Sequence, residues 1–291
     1  MRVFFQAIVF FLLFLEISCN SKIKTPSHLF SDGKSLGEVS NQLEEASGLV
    51  ESIANPMHLW TLNDSGNPAE VFLIDQKAQI KLVCKLNGIT NRDFEDIAIG
   101  AGPINGKNYV YVADIGDNLQ QYKTKLIYRF EEPTLADKNE VIITDFDTLR
   151  ITLPDGIRDS ETIMIDPQSN DLYLVSKRED SVQVYRIRYP FSKDLMTADK
   201  VAVIPFTKIV AGSITPDGKE VLIKDYEKIY YWKNNQGLPL SQLLITKPIE
   251  VAYEQEPQGE AICWSRDGSG YYTLSETAES IAGKLIFHKR K

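Results

Sequence analysis

The chain has 291 residues, of which 43% are hydrophobic and 25% charged, and its formal net charge is −8. These proportions are typical of a globular protein. The acidic residues are spread along the sequence, and no basic stripe is present to bind phosphate, which excludes a nucleic acid as the expected partner. A cation or a basic ligand fits the charge better.

The N-terminus predicts export. Arg2 precedes an apolar run from Val3 to Leu15, which has the length of a signal-peptide core and is too short to span a membrane. The following Glu16-Ile17-Ser18-Cys19 resembles a bacterial lipoprotein cleavage box, although Glu16 stands where that box has Leu. We therefore expect residues 1–18 to be a signal peptide and Cys19 to carry a lipid anchor, which would place the protein on a membrane, periplasmic or at the cell surface. An ordinary signal peptide followed by an unrelated cysteine is the alternative.

The remaining sequence repeats one unit, in which a hydrophobic strand, a turn rich in Gly, Asn and Asp, and a second strand follow each other. An acidic residue opens each copy except the fourth. The copies run from Glu45 to Asp64, Glu95 to Asp114, Glu161 to Glu179, Val210 to Asp225 and Glu260 to Glu276. Most copies continue into a third and a fourth strand, and four short antiparallel strands per repeat are typical of a propeller blade.

The repeats therefore predict an all-β fold, a β-propeller of four-stranded blades. We count five blades, and six are the alternative because the step from Glu95 to Glu161 is long enough to contain extra strands. Only about three strands follow Glu260, so a strand before Ser40 must close the ring. The expected organisation is a linker and closing strand over residues 19–40 and a single propeller domain over residues 41–291. An open β-sandwich is the competing fold.

The repeated acids are expected to meet on one face. In a blade the start of the first strand and the end of the second lie on the same side, and we call this end of the propeller the mouth. The predicted acidic pairs are Glu45 with Asp64, Glu95 with Asp114, Glu161 with Glu179 and Glu260 with Glu276, with Asp225 alone in the fourth blade. Two carboxylates about 4 Å apart repel by roughly 4 kcal/mol at an effective dielectric constant of about 20, so a ring of them needs compensation.

Two forms of compensation are open. Arg92 and Arg158 each begin an Arg-Asp-x-Glu motif, and Lys177 and Arg178 lie near the end of a second strand, so the acids could be structural ion pairs. A bound metal is the other form. Ligands that are all oxygen suit Ca²⁺, and its candidate ligands are Glu45, Asp64, Glu95, Asp114, Asp117, Glu161 and Glu260. The loops containing Asp64 and Asp117 are also what tight turns require.

These motifs resemble a known group of proteins. Glu45-Ala-Ser-Gly-Leu, Leu59-Trp-Thr-Leu-Asn-Asp64 and Asp93-Phe-Glu-Asp-Ile-Ala are similar to segments of the SdiA-regulated and phytase-esterase-like propellers, which belong with the calcium-dependent six-bladed propellers of the regucalcin and gluconolactonase kind. The resemblance implies a central metal held by a glutamate that opens the first inner strand, the position of Glu45. It also implies phosphate binding by basic residues beside the calcium ion.

Two functions follow as hypotheses. In the first, an exported lipoprotein binds calcium and a glycan, a peptide or another partner at the acidic mouth, and we expect it to be a monomer. Its ligand-binding candidates are Arg92, Arg158, Lys177, Arg178, Glu179, Asp225 and Glu276. In the second, the protein is a calcium-dependent hydrolase of phosphate esters or lactones, with Glu95 and Glu161 as the candidate catalytic residues.

Overall fold

The computed structural model describes residues 28–135, 138–278 and 280–291. The predicted signal peptide and Cys19 lie outside the described residues. Five separate sheets are present, each with the antiparallel order of a propeller blade, and the described chain contains one short α-helix, α1 (Leu240–Leu244), and one 3-10 turn (Asn41–Leu43). The predictions of an all-β propeller and of five blades are confirmed.

The first two blades carry four antiparallel strands each, numbered outward from the central axis. The chain begins with β1 (Lys34–Glu38), which belongs to the last blade. The first blade consists of β2 (Ala46–Glu51), β3 (His58–Asn63), β4 (Glu70–Asp75) and β5 (Ile80–Leu86). The second consists of β6 (Phe94–Ala101), β7 (Asn108–Asp114), β8 (Thr124–Glu131) and, after the insertion β9 (Glu140–Ile143), β10 (Asp147–Thr152).

The remaining three blades repeat this plan. The third consists of β11 (Ser160–Ile165), β12 (Leu172–Ser176), β13 (Val182–Ile187) and, after the two-residue strand β14 (Met196–Thr197), β15 (Asp199–Ile204). The fourth consists of β16 (Ile209–Ile214), β17 (Glu220–Asp225), β18 (Ile229–Lys233) and β19 (Ile249–Val251). The fifth consists of β20 (Gly259–Trp264), β21 (Gly270–Ser275) and β22 (Lys284–Lys289).

The ring closes through the N-terminal strand. β1 pairs antiparallel with β22, so the fourth strand of the fifth blade comes from the start of the described chain. The long step between the second and third repeats contains β9, which pairs parallel with β5 of the first blade instead of adding a sixth blade. In the same way β14 pairs parallel with β10 of the second blade. These insertions tie the first three blades to one another.

Hydrophobic side chains pack between neighbouring blades. Trp60 and Leu62 of the first blade, for example, pack in one buried cluster with Phe94 and Val110 of the second. Four further clusters fill the other junctions around the ring, including the one between the last blade and the first. Because each blade buries both faces in this way, the inner strands are held at a fixed distance from the axis.

Glu132, just after β8 of the second blade, binds the loop between β2 and β3 of the first blade. Its buried carboxylate accepts hydrogen bonds from Ser52 Oγ at 2.5 Å, Ile53 N–H at 3.0 Å, Ala54 N–H at 2.9 Å and Trp60 Nε1–H at 3.0 Å. With this many donors, the buried carboxylate holds the first blade against the second.

Candidate functional site

A β-bulge at the start of the inner strand aims a glutamate at the axis. In the second blade Phe94 pairs with Asp114 and Asp96 pairs with Ala113, which leaves Glu95 without a partner in the ladder. Bulges of this kind redirect a side chain and occur frequently beside functional sites. The unpaired residue is Glu161 in the third blade, Val210 in the fourth, Glu260 in the fifth and Gly48 in the first.

The strand register differs from the predicted alignment of the repeats. The carbonyl of Glu45 accepts a hydrogen bond from Asp64 N–H at 2.9 Å, and the carbonyl of Asp93 accepts one from Ile115 N–H at 3.2 Å. Glu45 is therefore equivalent to Asp93 and not to Glu95. The same shift places Asp159 opposite Lys177 and Gln258 opposite Glu276. Glu179 lies two residues beyond Lys177 and is therefore not opposite Glu161, whereas Glu260 and Glu276 are offset in the ladder but their carboxylates still meet, as predicted.

The carboxylates nevertheless converge at the mouth. Three overlapping groups have oxygen atoms that all lie within 4.8 Å of one another: Asp64 with Asp93 and Glu95, Asp64 with Glu260 and Glu276, and Glu95 with Asp159 and Glu161. Asp64 and Glu95 each belong to two groups, so they form the centre of the cluster. None of the groups contains histidine or cysteine. The donor set is therefore all oxygen, which fits a hard cation such as Ca²⁺.

Glu95 is the least compensated member. Its side chain is buried, the residue being 3% exposed, and within the described chain no N–H or O–H group donates to its carboxylate. Burial raises the pKa of Glu95 well above its usual range, and the nearby Glu161 and Asp64 carboxylates raise it further. A carboxylate is costly at such a depth without compensation. The raised pKa favours a protonated Glu95 that donates to the Glu161 carboxylate, and a bound cation would replace that proton.

Gly116 makes room for this arrangement. A Cβ atom built on Gly116 would lie 2.0 Å from Glu95 Oε1 and 2.5 Å from Asp93 Oδ2. Both distances are far below van der Waals contact, so only glycine allows the backbone after β7 to approach these two oxygens. Glycine in the Asp114-Ile-Gly-Asp117 segment is typical of a turn, and here the packing of the site also requires it.

The third blade contributes cations to the mouth. Lys177 Nζ lies 2.6 Å from Glu161 Oε1, and both side chains are largely buried. Burial raises the pKa of Glu161, and the charge of Lys177 acts in the opposite direction. Arg178 Nε donates to Asp159, and the Arg178 side chain is half exposed. The carboxylates of this blade therefore have internal counterions, as the ion-pair hypothesis expected.

Several predicted ligands lie outside the three groups because other partners hold them. Asp114 accepts from Arg92 Nε at 3.2 Å and from Asp93 N–H at 3.1 Å. Asp117 accepts from the backbone N–H groups of Gln121 at 2.6 Å and Tyr122 at 2.8 Å. Both carboxylates thus shape the loop beside the mouth.

Four more predicted residues are held by partners outside the carboxylate cluster. Glu45 is exposed and accepts a hydrogen bond from Asn67 Nδ2. Glu179 Oε1 lies 2.6 Å from Arg158 Nη1, and Asp225 accepts from the N–H groups of Glu227 at 2.7 Å and Lys228 at 2.6 Å. The structure therefore does not bring Glu45, Arg158, Glu179 or Asp225 into the carboxylate cluster.

Asp93 and Asp159 belong to the cluster, and sequence reasoning missed them. Both are the aspartate of an Arg-Asp-x-Glu motif, so the repeat itself was the available signal. The same motif is also compatible with structural ion pairs, in which the arginine holds a nearby acid. In the structure Arg92 turns away to Asp114 and Arg158 to Glu179, which leaves Asp93 and Asp159 facing the mouth.

Comparisons with known proteins identify the fold and no closer relationship. A solved structure of luciferin-regenerating enzyme superposes with a TM-score of 0.50, covering 87% of this chain and 92% of that one at 10% sequence identity. At this identity the likeness supports the propeller fold alone. No protein-family model matches the chain, and no curated protein matches it either. None of the described helices is long and apolar enough to cross a membrane.

Proposed function

We propose that the mouth binds a Ca²⁺ ion between the first two blades, and that the bound ion allows the propeller to hold an anionic ligand. The observation that carries this proposal is the buried Glu95 carboxylate, which has no donor in the described chain and lies within 4.8 Å of Asp64 and Asp93 oxygens. A divalent cation would compensate all three carboxylates together. Ca²⁺ takes six to eight oxygen ligands in irregular geometry, so ligand or water oxygens would complete the coordination.

The Asp64, Asp93 and Glu95 group is the preferred one of the three. In the group of Glu95, Asp159 and Glu161, Lys177 and Arg178 already supply positive charge. No residue of the preferred group has a lysine or arginine within salt-bridge distance among the described residues. Electrostatic attraction for an added cation is therefore greatest on this side of the mouth.

Calcium titration tests the proposal. Isothermal titration of the EDTA-treated protein should show a single saturable Ca²⁺ site, and Ca²⁺ at 100 times its Kd should stabilise the protein by about 2.7 kcal/mol. Glu95→Gln should abolish both effects, whereas Glu179→Gln, which alters a glutamate outside the cluster, should leave them unchanged. Absence of binding to the wild type, or loss of binding in both variants alike, would refute the site.

A hydrolase that acts on a phosphate ester or a lactone is the second candidate. Lys177 and Arg178 favour it, because they place cationic donors in the blade beside the proposed metal, where an ester oxygen could be held. The structurally similar luciferin-regenerating enzyme is also named as an enzyme. Turnover of chromogenic phosphate esters or lactones that requires Ca²⁺ and is lost in Glu161→Gln, with calcium binding retained, would establish this function. Binding without turnover would favour the first.

We also propose that the protein is an exported lipoprotein, from the apolar run Val3 to Leu15 and the box that ends at Cys19. The wild type should partition with membranes and carry the mass of a lipid at the processed N-terminus. Cys19→Ala should remove both properties. Identical mass and soluble behaviour of the two proteins would exclude the anchor.

A further inference from the structure

The lower end of the propeller axis, opposite the mouth, opens into a second cavity. It has a volume of about 360 Å³ and all five blades contribute to its wall. β-Branched side chains from the ends of four inner strands contribute to this wall: Val50, Ile99, Ile165 and Ile214. Each of the four is only partly buried. The inner strands thus end in a ring of apolar side chains that faces solvent.

The cavity is separate from the acidic mouth. Its floor is formed by residues that are almost fully buried, among them Ile97, Met164 and Cys263. No member of the carboxylate cluster lines it in the part of the chain that the structure describes. Between the two compartments the buried carboxylate of Asp96 accepts hydrogen bonds from the N–H groups of Ile97 and Ile163, both at 2.8 Å. This carboxylate joins the inner strands of the second and third blades, which are neighbours around the axis.

One carboxylate faces this apolar space. Glu51 ends the inner strand of the first blade and lines the cavity, and its Oε2 atom accepts a hydrogen bond from the backbone N–H of Arg266 at 2.7 Å. No donor reaches its other oxygen within the described chain. Burial raises the pKa of Glu51, the Arg266 N–H group opposes this, and the nearby Asp267 carboxylate adds to it.

The other charges at the rim leave Glu51 available. Lys107 also lines the cavity, but its ammonium group lies 2.7 Å from Glu131 Oε1. Arg266 also lines the cavity and its charge acts on Glu51, but Arg266 and Asp267 are both exposed to solvent, which screens their charges. An organic cation that entered the cavity would therefore meet a half-buried carboxylate with one free oxygen. The apolar part of that ligand would cover the ring of β-branched side chains.

We propose that this cavity binds a small organic amine, with its apolar body against Val50, Ile99, Ile165 and Ile214 and its ammonium group on the carboxylate of Glu51. A volume of this size lies within the range of about 300–1,000 Å³ that is typical of ligand pockets, which are mostly apolar with a few placed polar groups. Burial of the apolar body supplies affinity, and the charge-assisted hydrogen bond to Glu51 selects an amine over an alcohol or an acid. The proposal does not depend on calcium at the mouth.

Titration with hexylamine, hexanol and hexanoate, followed calorimetrically at neutral pH, tests it. Hexylamine should bind at one site and at least about ten times more tightly than hexanol, and hexanoate should not bind, because a charged hydrogen bond gives this much discrimination. Glu51→Gln should remove the preference for the amine. Ile165→Trp, which fills the cavity from a partly exposed position, should abolish binding of both hexylamine and hexanol.

Glu95→Gln is the matched control, because it alters a carboxylate at the other end of the axis and should leave hexylamine affinity unchanged. Equal affinity for hexylamine and hexanol, or hexylamine binding unaffected by Glu51→Gln, would overturn the assignment to Glu51. No hexylamine binding to the wild type would overturn the proposal as a whole. None of these results bears on the calcium titration, which tests a separate site at the mouth.

Discussion

Replacing Asp64 by asparagine should have opposite effects with and without calcium. Asp64 belongs to two of the three carboxylate groups, and the substitution keeps the shape of the side chain while it removes the charge. Burial raises the pKa of Asp64 from 3.8 to about 6, and the carboxylates of Asp93, Glu260 and Glu45 add to the shift. At 1.36 kcal/mol per unit, a shift of about two units is worth roughly 3 kcal/mol.

The sign of the effect follows from proton binding. Between pH values of about 4 and 6 the native state holds a proton on Asp64 that the unfolded state has lost, so the free energy of unfolding of the calcium-free wild type falls as the pH rises. Asp64→Asn removes this penalty. In EDTA at a pH of about 8 the variant should therefore be up to about 3 kcal/mol more stable, and near pH 4 the two proteins should be almost equal.

Calcium should reverse the order. The wild type should gain about 2.7 kcal/mol at 100 times its Kd, while the variant, which lacks one ligand charge, should gain much less. Urea unfolding with EDTA and with Ca²⁺ measures both effects, and Asp225→Asn is the control because its carboxylate caps a turn away from the cluster. A variant that is less stable in EDTA, or an equal calcium shift in Asp64→Asn and the wild type, would refute the reasoning.

Three further substitutions separate the site from its scaffold. Gly116→Ala should weaken calcium binding by at least tenfold and destabilise the protein by about 1–3 kcal/mol, measured by titration and urea unfolding, because the new Cβ would lie 2.0 Å from Glu95 Oε1. Glu132→Gln should lower the free energy of unfolding by about 1–3 kcal/mol, since buried donors lose a charged acceptor, and a changed calcium affinity would contradict its purely structural role. Lys177→Met should cost about 3–5 kcal/mol by leaving Glu161 unpaired, and adding Glu161→Gln should recover most of that loss; no recovery would show that the lysine stabilises by packing alone.

The number of blades could be predicted from the sequence because each blade is built from local antiparallel hairpins, whose alternation and turns are visible in consecutive residues. The partners of β9 and β14 could not be predicted in this way. Each pairs parallel with the outer strand of a neighbouring blade, and a parallel pairing joins segments that no short turn connects. The long step before Glu161 therefore left a sixth blade open, and the structure assigns that length to an insertion.

The acidic mouth was predictable and its membership was not. Repeated acids at one end of each inner strand indicate a shared face whatever the register. Which acids reach the axis depends on the bulges at Glu95, Glu161 and Glu260. A bulge inserts one extra residue into a strand, and the alternation of residues in the sequence does not show which residue that is. In the sequence repeat Glu45 is aligned with Glu95. In the strand ladder Glu45 corresponds instead to Asp93, two residues before Glu95, and it lies beside the exposed loop.

The blades differ in charge, so the charge of the mouth is not the same on all sides. In the fourth blade Val210 occupies the bulge where the second, third and fifth blades have glutamate, and the neighbouring third blade supplies Lys177 and Arg178. Asp64 and Glu95, which have no basic side chain within salt-bridge distance in the described chain, belong to the first and second blades. A Ca²⁺ ion there and the cations of the third blade beside it would both attract one anionic group placed over the axis. If our proposal is correct, the metal and the basic residues therefore recognise the same ligand, and a ligand without a negative charge should bind no better with calcium than without it.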